Sequence, residues 1–168
     1  MQKTFFISDM HFGHSNMIKY ENRPFKDIYE MDEVLIRNWN NKVKKEHYVY
    51  VLGDVSFYPK EKTKEILSQL KGRKILIMGN HDNRKSVKYW KEVGFEDVSK
   101  YPILFEDKYL LSHEPRYEIA DSRLYFNVHG HIHSKEVDNR PEMFFNVSVE
   151  RNNYRPVDFE KVEMAFEG

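Results

Sequence analysis

At 168 residues the chain has room for one substantial core, and a 40% hydrophobic share with 15% aromatics excludes a disordered polymer. Lys+Arg and Asp+Glu number 27 each, so no whole-protein basic field exists to grip a nucleic-acid backbone, although a local basic pocket would be compatible with that balance. Cys is absent, which rules out disulfides, thiolate metal sites and a Cys nucleophile. In chain order, the first apolar run, Thr4 to Ile7, predicts a buried strand ending in Ser8-Asp9-Met10-His11. It is too short for a signal-peptide core, and nowhere do about eighteen apolar residues run together, so a soluble cytoplasmic protein without a membrane partner is expected.

Residues 13 to 30 read as a long loop. Met31, Leu35, Trp39 and Val43 then recur at i, i+4 and predict a helix over 31–43. A strand over Tyr48–Leu52 ends in Gly53-Asp54; a helix over Lys60–Leu70 follows Pro59, a residue suited to a helix start. A strand over Lys74–Met78 ends in Gly79-Asn80-His81-Asp82, and Val87–Val93 predicts a third helix. Strands dominate the second half: Ile103–Phe105, Tyr109–Leu111 ending in Ser112-His113, Leu124–Val128 ending in His129-Gly130-His131-Ile132-His133, and a last one over Phe144–Val149. Residues 113 to 123 form a second long loop. The pattern predicts a single α/β layered domain over 1–168 with a mixed sheet, its specificity carried by the two loops.

Polar, metal-competent side chains stand at the ends of these strands, where ligands gather in open α/β sheets. Asp9 and His11, two apart on an extended segment, can grip one ion. Asp54 can bridge two, and Asn80 adds a neutral oxygen. His113 and His131 complete a second site, and His133 returns to the first. Nitrogen and oxygen donors without sulfur suit Mn, Fe, Zn, Co or Ni better than the all-oxygen shells of Mg or Ca. Each pair alone is weak: Asp-x-His is common, and Gly-Asp after a strand is ordinary turn chemistry. Together, in order and each after an apolar run, they specify a site.

Asp9-Met10-His11, Gly53-Asp54, Gly79-Asn80-His81-Asp82, Ser112-His113 and Gly130-His131-Ile132-His133 follow the order of the calcineurin-like metallophosphoesterase superfamily, which the chain resembles over nearly its whole length. Asp9-Met10-His11-Phe12-Gly13-His14, Asn22-Arg23-Pro24-Phe25, Asn38-Trp39-Asn40, and Asn146-Val147 onward to Arg155-Pro156 resemble a small bacterial and phage-associated branch of it. The resemblance implies a four-layer αββα sandwich with two divalent metal ions at its rim, manganese the first expectation. It assigns Asp9, His11, Asp54 and His133 to one ion, and Asp54, Asn80, His113 and His131 to the other. It implies hydrolysis of a phosphodiester or phosphomonoester by a metal-bridging hydroxide, with His81 as general acid; Asp82, next in sequence, is expected from that adjacency to partner the His81 ring.

His14 and Arg23 are expected to contact substrate phosphate. His129 is expected to be structural, His47 exposed, and Trp39, Trp90, Phe144 and Phe145 core. A small or nucleotide-derived substrate is expected. The competing readings are a nuclease that uses Arg23, Arg116, Arg123, Arg140, Arg151 and Arg155 around the rim, and a non-catalytic scaffold for a protein partner. Oligomeric state is not legible.

Overall fold

The computed structural model describes residues 1–168. Its elements are β1 (Thr4–Ile7), α1 (Asn16–Tyr20), α2 (Ile28–Lys42), β2 (Tyr48–Val51), α3 (Lys60–Gln69), β3 (Arg73–Ile77), α4 (Val87–Val93), β4 (Asp97–Ser99), β5 (Ile103–Phe105), β6 (Tyr109–Leu111), α5 (Tyr117–Ala120), β7 (Phe126–His129), β8 (Phe144–Asn146), β9 (Val157–Asp158) and α6 (Phe159–Glu167). They form two mixed sheets, one ordered β4-β3-β2-β1-β9 and the other β5-β6-β7-β8.

The two-residue period of a strand explains how the layers meet. In β1, Phe5 and Ile7 face a core shared with Met31, Leu35 and Trp39 of α2, Ile66 and Leu67 of α3, and Trp90 of α4. Phe6 faces the other way, into a core between the sheets with Ile77, Tyr109, Leu111 and Val128. Trp39 is fully buried and its indole N–H donates to the Lys71 carbonyl at 2.8 Å, so its large ring is inserted without an unmet donor. Side-chain caps start α2 and α4: Asp27 accepts from the Glu30 N–H at 2.9 Å, and Ser86 from the Tyr89 N–H at 3.0 Å. Helices thus cover the first sheet. Over the second, the cover is the segment holding the one-turn α5, where Asn127 Oδ1 accepts from the Arg116 N–H at 2.7 Å.

β1, β2 and β3 are mutually parallel, as are β6 and β7, so their carboxyl ends share one rim. Several expectations shift. The β3 strand runs Arg73–Ile77, one residue early, and β7 starts at Phe126 and takes in His129. β8 stops at Asn146 because its side chain accepts from the Ser148 N–H at 2.9 Å and turns the chain into a 3-10 helix over Val149–Arg151. β4, β9, α1, α5 and α6 were not expected. His47 is buried rather than exposed: Nδ1 accepts from the Lys44 N–H at 3.0 Å and Nε2 lies 3.2 Å from the Met1 carbonyl. No helix is long and apolar enough to cross a membrane.

Candidate metal centre

Five of the seven expected ligands sit on left-handed backbone: Asp9 at φ 60°, His11 at 53°, Asp54 at 54°, His131 at 72° and His133 at 54°. Such a conformation is uncommon outside glycine and costs on the order of 1–3 kcal/mol per residue, so its repetition marks a place where geometry overrides local preference. It turns each chain sharply as it leaves its strand. The Asp9 and His11 N–H groups donate to the Gly53 and Asp54 carbonyls at 3.0 and 3.1 Å, locking the first turn against the second. Two glycines are required for space. A Cβ on Gly79 would run into Asp54 and His113, and one on Gly130 into Ser8 and Asp9.

The side chains converge in two groups, Asp9 with His11 and His133, and Asp54 with His113 and His131. Asp9 Oδ1 lies 3.7 Å from His11 Nε2 and 3.6 Å from His133 Nε2. Asp54 Oδ2 lies 3.5 Å from His11 Nε2 and also 3.5 Å from His113 Nε2, between the groups. Asn80 Oδ1 and His131 Nδ1 lie 2.9 and 3.1 Å from His113 Nε2. Donors held at about 2.1 Å from one ion stand roughly 3.0–3.4 Å apart, so separations of 2.9 to 3.7 Å lie within a few tenths of an ångström of what a first-row divalent metal needs. The unmet polar atoms agree. Asp9 Oδ2 accepts from Ser8 Oγ and the His131 N–H, while its buried Oδ1 has no hydrogen-bond partner, and neither has His11 Nε2. Buried orphans of that kind are costly unless something else satisfies them.

The far nitrogens are fixed too, which sets which nitrogen faces the centre. His113 Nδ1 donates to the Leu52 carbonyl at 2.6 Å, and His11 Nδ1 lies 3.0 Å from His14 Nδ1. His133 Nδ1 donates to Glu150 at 2.8 Å. Sequence reasoning missed Glu150; the only signal was its place in the Asn146–Pro156 segment. Arg23 is corrected by the same contact. Its buried guanidinium donates to Glu150 at 2.7 Å, to the Asp9 carbonyl at 2.7 Å and to the Met10 carbonyl at 3.0 Å, which leaves it turned inward and away from any substrate. Asp82 is corrected as well. It is buried and accepts from the Asp54, Gly79 and Val55 N–H groups at 2.7, 2.8 and 3.1 Å, so it braces two ligand loops and makes no bond to the His81 ring. Burial raises its carboxyl to about 6, with the Asp54 charge adding to it. His129 is structural as expected, buried with Nδ1 donating to the Gly130 carbonyl at 2.9 Å.

Glu150→Gln is therefore expected to weaken metal binding about 10–100-fold, as for other partners that orient a ligand imidazole. It should also lower stability, because Arg23 keeps a buried charge without its counter-charge. Metal titration together with a thermal melt checks both; wild-type affinity would refute the role of Glu150.

His81 stands beside Asp54, with Nε2 3.9 Å from Oδ2 and a side chain 33% exposed to the rim. Burial, joined by the neighbouring His11, Arg84 and His113, lowers its pKa despite the Asp54 charge. His14 is half-buried next to it, and burial followed by the His11 and His81 charges puts it at about 4. Electrostatics divide the ligands sharply. Burial would raise Asp9, but His11, His113 and His133 hold it at about 2. Asp54 is likewise depressed by His11 and His113 against the burial effect. Burial would lower His113, yet Asp54 and Asp9 push it up to about 9, and His11 is raised in the same way. At pH 7 a proton thus competes with metal at His113 Nε2, so metal binding is expected to release protons and to tighten as pH rises toward about 9. Calorimetric titration in two buffers of different ionisation enthalpy reads the release; none at pH 7 would refute it.

Fold and site together define an α/β metalloprotein with its ligands on the common rim of two stacked sheets. The family model for calcineurin-like phosphoesterases matches residues 3–163. An uncharacterized protein of Methanocaldococcus jannaschii, MJ1445, is 37% identical over an alignment covering 99% of this chain and 93% of that protein. The Gene 66 protein of Mycobacterium phage L5 is 31% identical, covering 83% of this chain and 82% of its own. Among solved structures, the protein of unknown function AQ665 from Aquifex aeolicus superposes with a TM-score of 0.78 at 28% identity, covering 98% of this chain and 99% of that one. The chain belongs to the calcineurin-like phosphoesterase family and is a metal-dependent hydrolase of phosphate esters.

Proposed function

We propose that the protein hydrolyses phosphodiesters of small or nucleotide-derived compounds at a pair of divalent cations. The observation that carries this reading is Asp54 Oδ2, equally distant at 3.5 Å from a nitrogen of each ligand group. Asp9, His11, Asp54 and His133 would hold one cation, and Asp54, Asn80, His113 and His131 the other. When bound, such a pair neutralises phosphate oxygens and activates water as a nucleophile. Manganese, iron, zinc, cobalt and nickel all suit this donor set. In its protonated form His81 passes a proton to the ester oxygen that leaves and ends as neutral imidazole, and Asp82 keeps the Asp54 and Gly79 loops at the spacing this requires. His14 accepts from His11 and faces the rim, where it contacts the phosphate group.

Clefts on both sides of the 3-10 helix Asp82–Arg84 favour a diester over a monoester. One, lined by Asn80, Asn83, His113 and Lys100, has a volume of about 190 Å³, and the other, beyond His81, about 420 Å³. A diester has an arm for each. The nuclease alternative loses most of its cations: Arg23 pairs with Glu150, Arg116 with Glu118, Arg140 with Glu142 and Arg151 with Glu136. A scaffold, in turn, would have no use for an unmet donor set or for His81.

The test is turnover of bis(p-nitrophenyl) phosphate against p-nitrophenyl phosphate with Mn, Ni, Co or Zn. Metal-dependent turnover favouring the diester is expected. A folded, metal-loaded protein that turns over neither would establish the scaffold instead, and steep salt dependence with oligonucleotides would favour the nuclease.

A further inference from the structure

The larger cleft has two unlike walls. On one stands Phe57, 36% exposed, which is unusual for a phenyl ring placed this close to a polar centre. Its ring packs against the imidazoles of His14, His81 and His11, with centroids 4.2, 5.1 and 5.3 Å away, and the part they leave uncovered opens into the cleft. On the other wall, three and four residues after His81 in the chain, stand Arg84 and Lys85, both exposed and neither in an ion pair. Glu92, on the facing side of α4, is already engaged by Lys60 and Lys88. Lys85 Nζ lies 5.3 Å from the Tyr89 ring centroid, which holds the ammonium at the cleft wall. His81 lines the cleft where it meets the metal centre. An open aromatic surface and two uncompensated cations therefore flank the side from which a leaving group would depart.

We infer that this cleft is the leaving-arm subsite and that it takes a nucleotide, with its base stacked on Phe57 and a further phosphate held by Arg84 and Lys85. The assignment of a leaving arm rests on the phosphodiesterase reading; the nucleotide preference rests on the cleft alone. The volume of about 420 Å³ lies within the range of small-ligand sites and holds one nucleotide, not a strand. A sugar phosphate has no flat face to set against Phe57. A lipid arm would place alkyl chains against Arg84 and Lys85. A base carrying phosphate satisfies both walls at once.

The experiment compares binding of ribose 5-phosphate, adenosine monophosphate and adenosine diphosphate to the metal-loaded protein by calorimetry. The base is expected to tighten binding about tenfold or more, the usual worth of stacking a base on an aromatic side chain. Phe57→Leu, which keeps apolar bulk but not the ring, should erase that factor, and Phe57→Tyr should retain it. The second phosphate is expected to add a salt-sensitive gain that disappears in Arg84→Ala/Lys85→Ala. Each variant is first shown to bind two metals. Equal binding of ribose 5-phosphate and adenosine monophosphate overturns the subsite, as does base preference that survives in Phe57→Leu. The two readings fail separately. Diester turnover with no base preference ends the subsite alone, and base-dependent binding without turnover of any ester supports the subsite while ending the phosphodiesterase reading.

Discussion

Asp54→Ala is expected to abolish stoichiometric binding at both metal positions and to lower diester turnover by about a thousandfold or more. The cause is the single oxygen that lies 3.5 Å from His11 Nε2 and 3.5 Å from His113 Nε2. Removing it takes a negative charge from both groups at once and leaves Asp9 as the one carboxylate among four imidazoles. Each ion supplies several kcal/mol of charge stabilisation in the transition state, and several kcal/mol correspond to about three decades of rate. The fold should survive, because the 54 N–H still donates to Asp82, which also holds the Val55 and Gly79 N–H groups. Metal analysis and circular dichroism on the same sample decide the matter. Two ions per folded chain would refute the bridge.

His81→Ala should do the reverse: both ions stay and turnover falls about 10²–10⁴-fold, the usual worth of a positioned proton donor. The ring belongs to neither ligand group, and the contact through which residue 81 supports Asp54 is its backbone N–H, donating to Oδ1 at 3.1 Å, which alanine keeps. The loss should depend on the leaving group. An alkyl diester, whose leaving oxygen is strongly basic, should show the full effect. A p-nitrophenyl diester should show less of it, since p-nitrophenolate departs without a proton. An alkyl ester cleaved by the variant at the wild-type rate would remove His81 from the chemistry.

The residues of the two candidate ligand groups were legible because each follows an apolar run, and strand ends in such sheets meet at one rim. Their supports were not. Glu150 and Arg23 act over a separation in sequence that no local pattern records, and Arg23, expected on the substrate phosphate, is buried against Glu150 instead. Asp82 was misread for a related reason: adjacency to His81 suggested a ring partner, whereas the turn points the carboxylate back at three backbone donors. In the fold, the helices with i, i+4 apolar spacing and the long apolar strands were readable. β4 and β9 were not, since Asp97-Val98-Ser99 and Val157-Asp158 each hold a single apolar residue and make no apolar run. α6 did carry a signal, Asp158 as cap and Phe159, Val162 and Phe166 on one face, that went unread.

β1 lies inside its sheet, with β2 on one side and β9, from the far end of the chain, on the other. The strand that leads into Asp9 is made well before its second neighbour and before Glu150, the partner of His133. During synthesis the chain therefore cannot finish the candidate metal centre while residues 150–158 are still inside the ribosome, so the His133–Glu150 contact and the β1–β9 pairing form long after β1 itself has emerged.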